Sequence, residues 1–175
     1  MYLVISSSLN PSSRSRVLAN QMHQRLLRLV EDVEMIDLQD WQLPLCDGEG
    51  CYSDPEVHRL AELIRSARGV IVATPIYNYD VSAAAKNMVE LTGKAWSEKV
   101  VGFVCAAGGH VSYMAVMGLT NSLMLDFRSF VLPDFVFATG KVFDDEDGII
   151  DDKVDERLTR LAANMVRVTE ALSSN

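Results

Sequence analysis

Long hydrophobic runs are missing from this 175-residue chain. No wholly apolar stretch approaches the roughly 20 residues that a helix needs to span a bilayer. No charged segment followed by an apolar one opens the sequence, so the expected setting is the cytoplasm. Cysteine is scarce and odd in number, three in all, which does not suggest a disulfide framework. Runs of Lys or Arg are absent and the formal charge is −8, which argues against sequence-independent binding to nucleic acid and against anionic membranes. Histidine is sparse, three residues, and no Gly-x-Ser-x-Gly elbow appears, which leaves little support for a Ser-His-Asp hydrolase. Internal repeats and low-complexity linkers are also lacking.

What is present is ordinary globular composition, 49% apolar and 23% charged, expected to fold as one domain over residues 1–175. Eight acids crowd into residues 144–156, and the rest of the chain is nearly neutral. That acidic stretch lacks the Asp-x-Asp-x-Asp-Gly pattern of a calcium loop and reads as a solvated surface.

Hydrophobic patterning alternates between two periods. Residues 2–5 form a short apolar run that ends in small polar residues, and from Arg14 the positions Val17, Leu18, Met22, Leu26 and Leu29 recur at helical spacing. Ser12 or Ser13 is placed to cap that helix. A second strand around Val33 to Leu38 leads through a Pro, Gly and Cys loop to Asp54-Pro55, a cap and first-turn proline for a helix closed by Gly69. Residues 70–73 make a third strand, 74–80 a loop, 82–91 a helix, 100–106 a fourth strand, and Met114 to Phe127 another helix. Residues 135–138 supply a fifth strand, and 154–172 a final amphipathic helix. Five apolar strands alternating with helices predict an α/β domain, a doubly wound five-stranded parallel sheet covered on both faces.

Ligands in such folds bind outside the carboxyl ends of the strands, where the winding reverses. Three loops therefore matter: residues 6–13, 74–80 and 107–112. The first combines hydroxyls, exposed amides and a helix N-terminus, which suits a single phosphomonoester, although its serines could also be mere caps. The second offers Pro75, Tyr77, Asn78 and Tyr79 as a surface for a planar ring, or as simple loop packing. The third brings Gly108 and Gly109, which admit a ligand close to the backbone or form a plain turn.

Ser7-Ser8-Leu9-Asn10, Ser13-Arg14-Ser15, Thr74-Pro75-Ile76-Tyr77-Asn78, Lys86-Asn87 and Ala107-Gly108-Gly109 occur in this order. Together they resemble the NAD(P)H-dependent FMN reductase family, of flavodoxin-like fold, and most closely its members that feed two-component sulfonate monooxygenases. The resemblance covers about the first 140 residues. It implies an FMN phosphate held by Ser8, Ser13, Arg14 and Ser15, an isoalloxazine ring on Pro75, Ile76, Tyr77 and Asn78, and a far edge closed by Gly108, Gly109 and His110. Two departures stand out. The family usually has Gly-Ser-x-Arg where this chain has Ser7-Ser8-Leu9-Asn10, and Arg14 would supply the missing charge. Many members have Pro-Gly where this chain has Ser82-Ala83.

The implied cofactors are FMN and NADPH or NADH, with no catalytic side chain required, because the flavin itself accepts hydride. Implied partners are small flavin and nicotinamide substrates, with a flavin-dependent monooxygenase as a possible protein partner. A flavodoxin-like electron carrier, fed only by another protein, is the alternative. Apolar excess on the helices at 82–91 and 114–127 points to a homodimer or tetramer. Cys46, Cys51 and His58 fit no usual zinc spacing, and Cys105 reads as a small buried hydrophobe.

Overall fold

The computed structural model describes residues 1–109, 112–144 and 148–173. Five parallel positions make the sheet. β1 (Tyr2–Ser6), β2 (Val33–Asp37), β3 (Gly69–Tyr77) and β5 (Val100–Ala107) are continuous. The fifth position is interrupted: β6 (Phe130–Val131) pairs with Val100 and Val101, and β7 (Val136–Thr139) pairs with Val104 to Ala107. Pro133 lies in the gap, where a missing N–H cannot continue the ladder. The spatial order is β2-β1-β3-β5-β6, with β7 alongside β5 and with all of these pairs parallel. The winding thus reverses between β1 and β3. The fold is flavodoxin-like, with seven strands rather than the expected five.

The alternation of side chains across each strand decides which helices cover which face. Leu3, Ile5, Val70, Val72, Val101 and Phe103 point to one face, against α2 (Pro55–Ser66), α3 (Ala83–Thr92) and α4 (Met117–Phe127). Tyr2, Val4, Ile71, Val100 and Val104 point to the other, against α1 (Arg14–Leu27) and α5 (Asp152–Ser173). Trp96, fully buried, is fixed on the first face by its indole N–H donating to Thr92 Oγ1 at 2.7 Å. α1 and α5 are tied by an Arg25–Asp155 ion pair.

Several boundaries move. Residues 74–77 are not loop: they prolong β3, which folds back on β4 (Asp80–Val81) as a hairpin with Tyr77 paired to Asp80. The two turn residues, Asn78 and Tyr79, have φ of 50° and 64°. Positive φ at both central positions gives the twist that a two-residue hairpin needs, and asparagine tolerates it better than most residues. Gly69 does not close α2. That helix ends at Ser66, and Gly69 opens β3, where a Cβ would fall 2.5 Å from Met165 Sδ. α4 starts at Met117 rather than Met114. Ser13 is the N-cap of α1 by backbone geometry, but its hydroxyl does not cap the helix. Asp54 caps α2 as expected, accepting from Glu56 N–H at 2.8 Å.

No helix among the described residues is long and apolar enough to cross a membrane.

Candidate functional site

Parallel register brings the three turns to one rim. Ser6 pairs with Ala73 and Pro75 with Ala106, so the chain leaves β1, β3 and β5 at the same edge of the sheet. The first turn is joined to the hairpin by a buried hydroxyl network. Ser7 donates its N–H at 2.8 Å and its hydroxyl at 2.9 Å to Ala73 O. Ser82 Oγ donates to Ser7 O at 3.0 Å and accepts from Ala85 N–H at 3.2 Å, capping α3. Ser82 N–H donates to Thr74 Oγ1 at 3.2 Å. A proline at this position would have no N–H to give, so this bond at the hairpin exit depends on Ser82.

The turn after β1 is shaped from its side chains outward. Ser8 Oγ accepts from Asn10 N–H at 3.2 Å, and Asn10 Oδ1 accepts from Ser12 N–H at 3.0 Å. Arg16 holds the carbonyl side: its guanidinium donates to the carbonyl oxygens of Asn10 at 2.9 Å, Pro11 at 2.8 Å and Ser8 at 3.3 Å, and to Gln39 Oε1 at 2.8 Å. Asp37 completes the clamp through Arg16 Nε and raises the basicity of the guanidinium. Sequence reasoning missed Arg16. Its only signal was a second basic residue one helical step inside the capped turn, and that reads equally well as surface charge.

With carbonyls and two amides thus occupied, a donor-rich face remains at the opening of α1. The first-turn N–H groups of Arg14 and Ser15 have no acceptor within the helix. None of the other hydrogen bonds among the described residues takes them. Ser13 and Ser15, both buried, share one hydrogen bond at 2.8 Å between their hydroxyls, which leaves one O–H to give. Arg14 is exposed and takes part in none of the ion pairs among the described residues. Its guanidinium lies 5.6 Å from the centre of the Phe143 ring and against Gly140, where a Cβ would come within 2.6 Å of Nη1. The end of β7 is therefore a fourth contributor to this rim, one that the sequence reading did not include. Hydroxyls, helix-end amides and one cation that pairs with no carboxylate among the described residues make up a donor set that suits a dianionic phosphomonoester.

The second turn presents Tyr77, 52% exposed, and Asn78 at its tip, while Pro75 and Ile76 are buried in the strand. Beyond it an open cleft of about 520 Å³ is lined by Tyr77, Asn78, Asp80, Lys86 and Gly118, among others. Gly108 and Gly109 follow β5 with open space where a Cβ would stand. His110 lies outside the described residues. Ser8, Ser13, Asn78, Gly108 and Gly109 accordingly lie in the three turns, with Arg14 and Ser15 at the start of α1 and Pro75, Ile76 and Tyr77 at the end of β3, all toward one edge of the sheet.

A flavodoxin-like sheet with a donor-rich turn at its switch point and a tyrosine-bearing hairpin beside it suits a class, the flavin-dependent oxidoreductases of doubly wound fold. Comparison with known proteins narrows it. The family model described as NADPH-dependent FMN reductase matches residues 2–144, and the chain belongs to that family. The chain is 30% identical over 146 residues to an NAD(P)H-dependent FAD/FMN reductase of Geobacillus thermodenitrificans, covering 82% of this chain and 78% of that one. It is 31% identical over 116 residues to an FMN reductase (NADPH) of Pseudomonas putida, covering 64% and 57%. Among solved structures, FerB, a flavoenzyme NAD(P)H:(acceptor) oxidoreductase from Paracoccus denitrificans, superposes with a TM-score of 0.78 over 97% of both chains at 20% identity, sharing the fold. The protein is an oxidoreductase of the NAD(P)H-dependent flavin reductase class, with FMN and a nicotinamide nucleotide as its cofactors.

Proposed function

We propose that the FMN phosphate is held by Ser8, Ser13, Arg14 and Ser15, with the ring seated on Pro75, Ile76, Tyr77 and Asn78 and its far edge at Gly108, Gly109 and His110. When bound, FMN supplies the hydride-accepting and electron-releasing chemistry. The chain's own residues bind and orient. The hydroxyls of Ser13 and Ser15, the first-turn amides of α1 and the Arg14 guanidinium fix the phosphate. The Arg16 clamp holds the turn so that those donors face outward. Asn78, exposed at the tip of the hairpin, reads the ring edge, and Tyr77 offers it a flat surface. Positioning rather than proton transfer is the protein's contribution to rate. The observation that carries this reading is the cluster of donors at the start of α1, the Arg14 and Ser15 amides, one hydroxyl hydrogen and the Arg14 guanidinium, for which no acceptor is found among the described residues.

NADH or NADPH is the reductant. Electrons leave either on reduced flavin delivered to a flavin-dependent monooxygenase, as in sulfonate systems, or directly to quinone, azo or metal-oxyanion acceptors. Relatives named NADPH azoreductase, from a Bacillus species, and NADPH:quinone oxidoreductase, from Arabidopsis thaliana, support the second group. Three free thiols, at Cys46, Cys51 and Cys105, favour a reducing cytoplasm. The exposed apolar side chains of Met117, Met124, Leu125 and Phe130 on and after α4 favour a homodimer or tetramer. Following NAD(P)H absorbance with purified protein and added FMN tests the activity. Flavin-dependent oxidation is expected, and a protein that binds FMN yet leaves NADH and NADPH untouched would instead be an electron carrier.

A further inference from the structure

Cys46 and Cys51 lie in the chain between β2 and α2, outside the residues assigned above to the flavin. Their sulfur atoms are 3.9 Å apart and both are free thiols. A disulfide requires about 2.05 Å, so closure asks for a movement of about 2 Å. The intervening chain includes Gly48, at φ 76° with nothing within 4 Å of where its Cβ would be. A glycine there leaves the short segment free to adjust.

The two thiols differ in chemistry. Cys46 is partly exposed, with the Tyr52 hydroxyl 3.5 Å from its sulfur. That hydroxyl and the Gly48 amide stabilise the thiolate and lower the Cys46 pKa. Cys51 is 5% exposed, packed with Val57 and Leu91, and its pKa is raised by burial and by Asp47. Cys105 is deeper still, inside β5, and burial pushes its thiol far up. The arrangement has one accessible, activated sulfur and one sheltered sulfur within reach of it.

We propose that Cys46 and Cys51 form a hydroperoxide-oxidised dithiol, in which Cys46 is the attacking sulfur and Cys51 the resolving one. Cys46 Sγ, as thiolate, attacks a hydrogen peroxide oxygen. The O–O bond breaks, an S–O bond forms, and hydroxide leaves, taking up a proton to become water. Cys51 Sγ then attacks Cys46 Sγ, the S–O bond breaks, a second water leaves with the Cys51 proton, and the S–S bond forms. The two sulfurs together lose two electrons, which reduce the peroxide to water. The segment that is thereby cross-linked is anchored to α3, because Asn87 accepts from Cys46 N–H at 2.9 Å and donates to Pro44 O at 2.9 Å.

The test uses the full-length protein, reduced, desalted and exposed to hydrogen peroxide without flavin or nicotinamide. The wild-type protein is expected to lose about 2 Da as one S–S bond forms. The tryptic peptide 29–59, which holds both cysteines, should carry that loss, and cleavage after Glu49 should leave its two parts joined. Titratable thiols should fall from the three in the chain, leaving only Cys105. Cys46→Ser should slow thiol loss about tenfold or more, and Cys51→Ser should expose a sulfenic acid on Cys46 to a 1,3-dicarbonyl trap. Retained far-ultraviolet circular dichroism confirms that both variants are folded. The proposal is overturned if wild-type Cys46 passes to sulfinic acid with no 2 Da loss. It also fails if the bond joins two molecules, or if folded Cys46→Ser loses thiols at the wild-type rate.

Discussion

Arg14 and Arg16 sit two residues apart on the same first helical turn, yet they are expected to fail differently when replaced. Arg16 binds carbonyls and the Asp37 carboxylate inside the protein, so Arg16→Met should destabilise the fold by about 2 kcal/mol in denaturant unfolding, as partly buried donors to charged and carbonyl groups are lost. Arg14 faces solvent beside Phe143. Arg14→Met should change stability by less than about 0.5 kcal/mol but weaken FMN binding about tenfold, measured by fluorescence titration. If both variants lose stability alike, the division between clamp and ligand is wrong. Asp47 gives a third residue-level test. Its carboxylate accepts from Glu49 N–H at 2.9 Å and Cys51 N–H at 3.1 Å, and these bonds lower its pKa from the ordinary 3.8 to about 2. A carboxylate whose folded pKa is depressed stabilises the fold above its unfolded pKa, so the contribution is present above pH 3.8 and disappears as pH falls toward 2. A carboxyl carbon NMR titration of Asp47 should have its midpoint near 2, not near 4.

At the scale of elements, the hairpin β3–β4 is the part of the site that sequence patterning misread. Residues 74–77 carry Thr, Pro, Ile and Tyr after a buried strand, and Pro75 in particular argues against a strand interior. Yet β3 keeps its parallel pairing with β5 as far as Pro75 and then turns antiparallel to β4, so proline falls where the ladder changes partner. Strands and helices elsewhere were legible because apolar periodicity follows directly from which face is buried. Arg16 and Gly140 were not legible, because their roles depend on carbonyls and side chains brought close by the fold. Asn78→Val should disturb the hairpin: a β-branched residue at φ 50° costs about 1–2 kcal/mol, and both unfolding free energy and FMN affinity should fall. Gly102 tests the packing of α5 on the sheet. A Cβ there would lie 2.7 Å from Ile71 Cδ1 and 3.1 Å from Leu161 Cδ1, so Gly102→Ala should destabilise by about 1–3 kcal/mol through overpacking.

For the whole molecule, a flavodoxin-like sheet with its switch point between β1 and β3 explains why residues 8, 14, 77 and 108, far apart in sequence, meet at one edge. In the proposed seat the phosphate and the ring fall on different turns. A flavin lacking phosphate should then keep its ring contacts and lose the donors at α1. The decisive measurement is calorimetric titration of the flavin-stripped protein with FMN and, separately, with riboflavin. FMN is expected to bind about 100-fold or more tightly than riboflavin, about 2.7 kcal/mol in binding free energy, and Arg14→Met should shrink that gap. Equal affinity for the two flavins, or no binding of either, would contradict a phosphate seat at the start of α1.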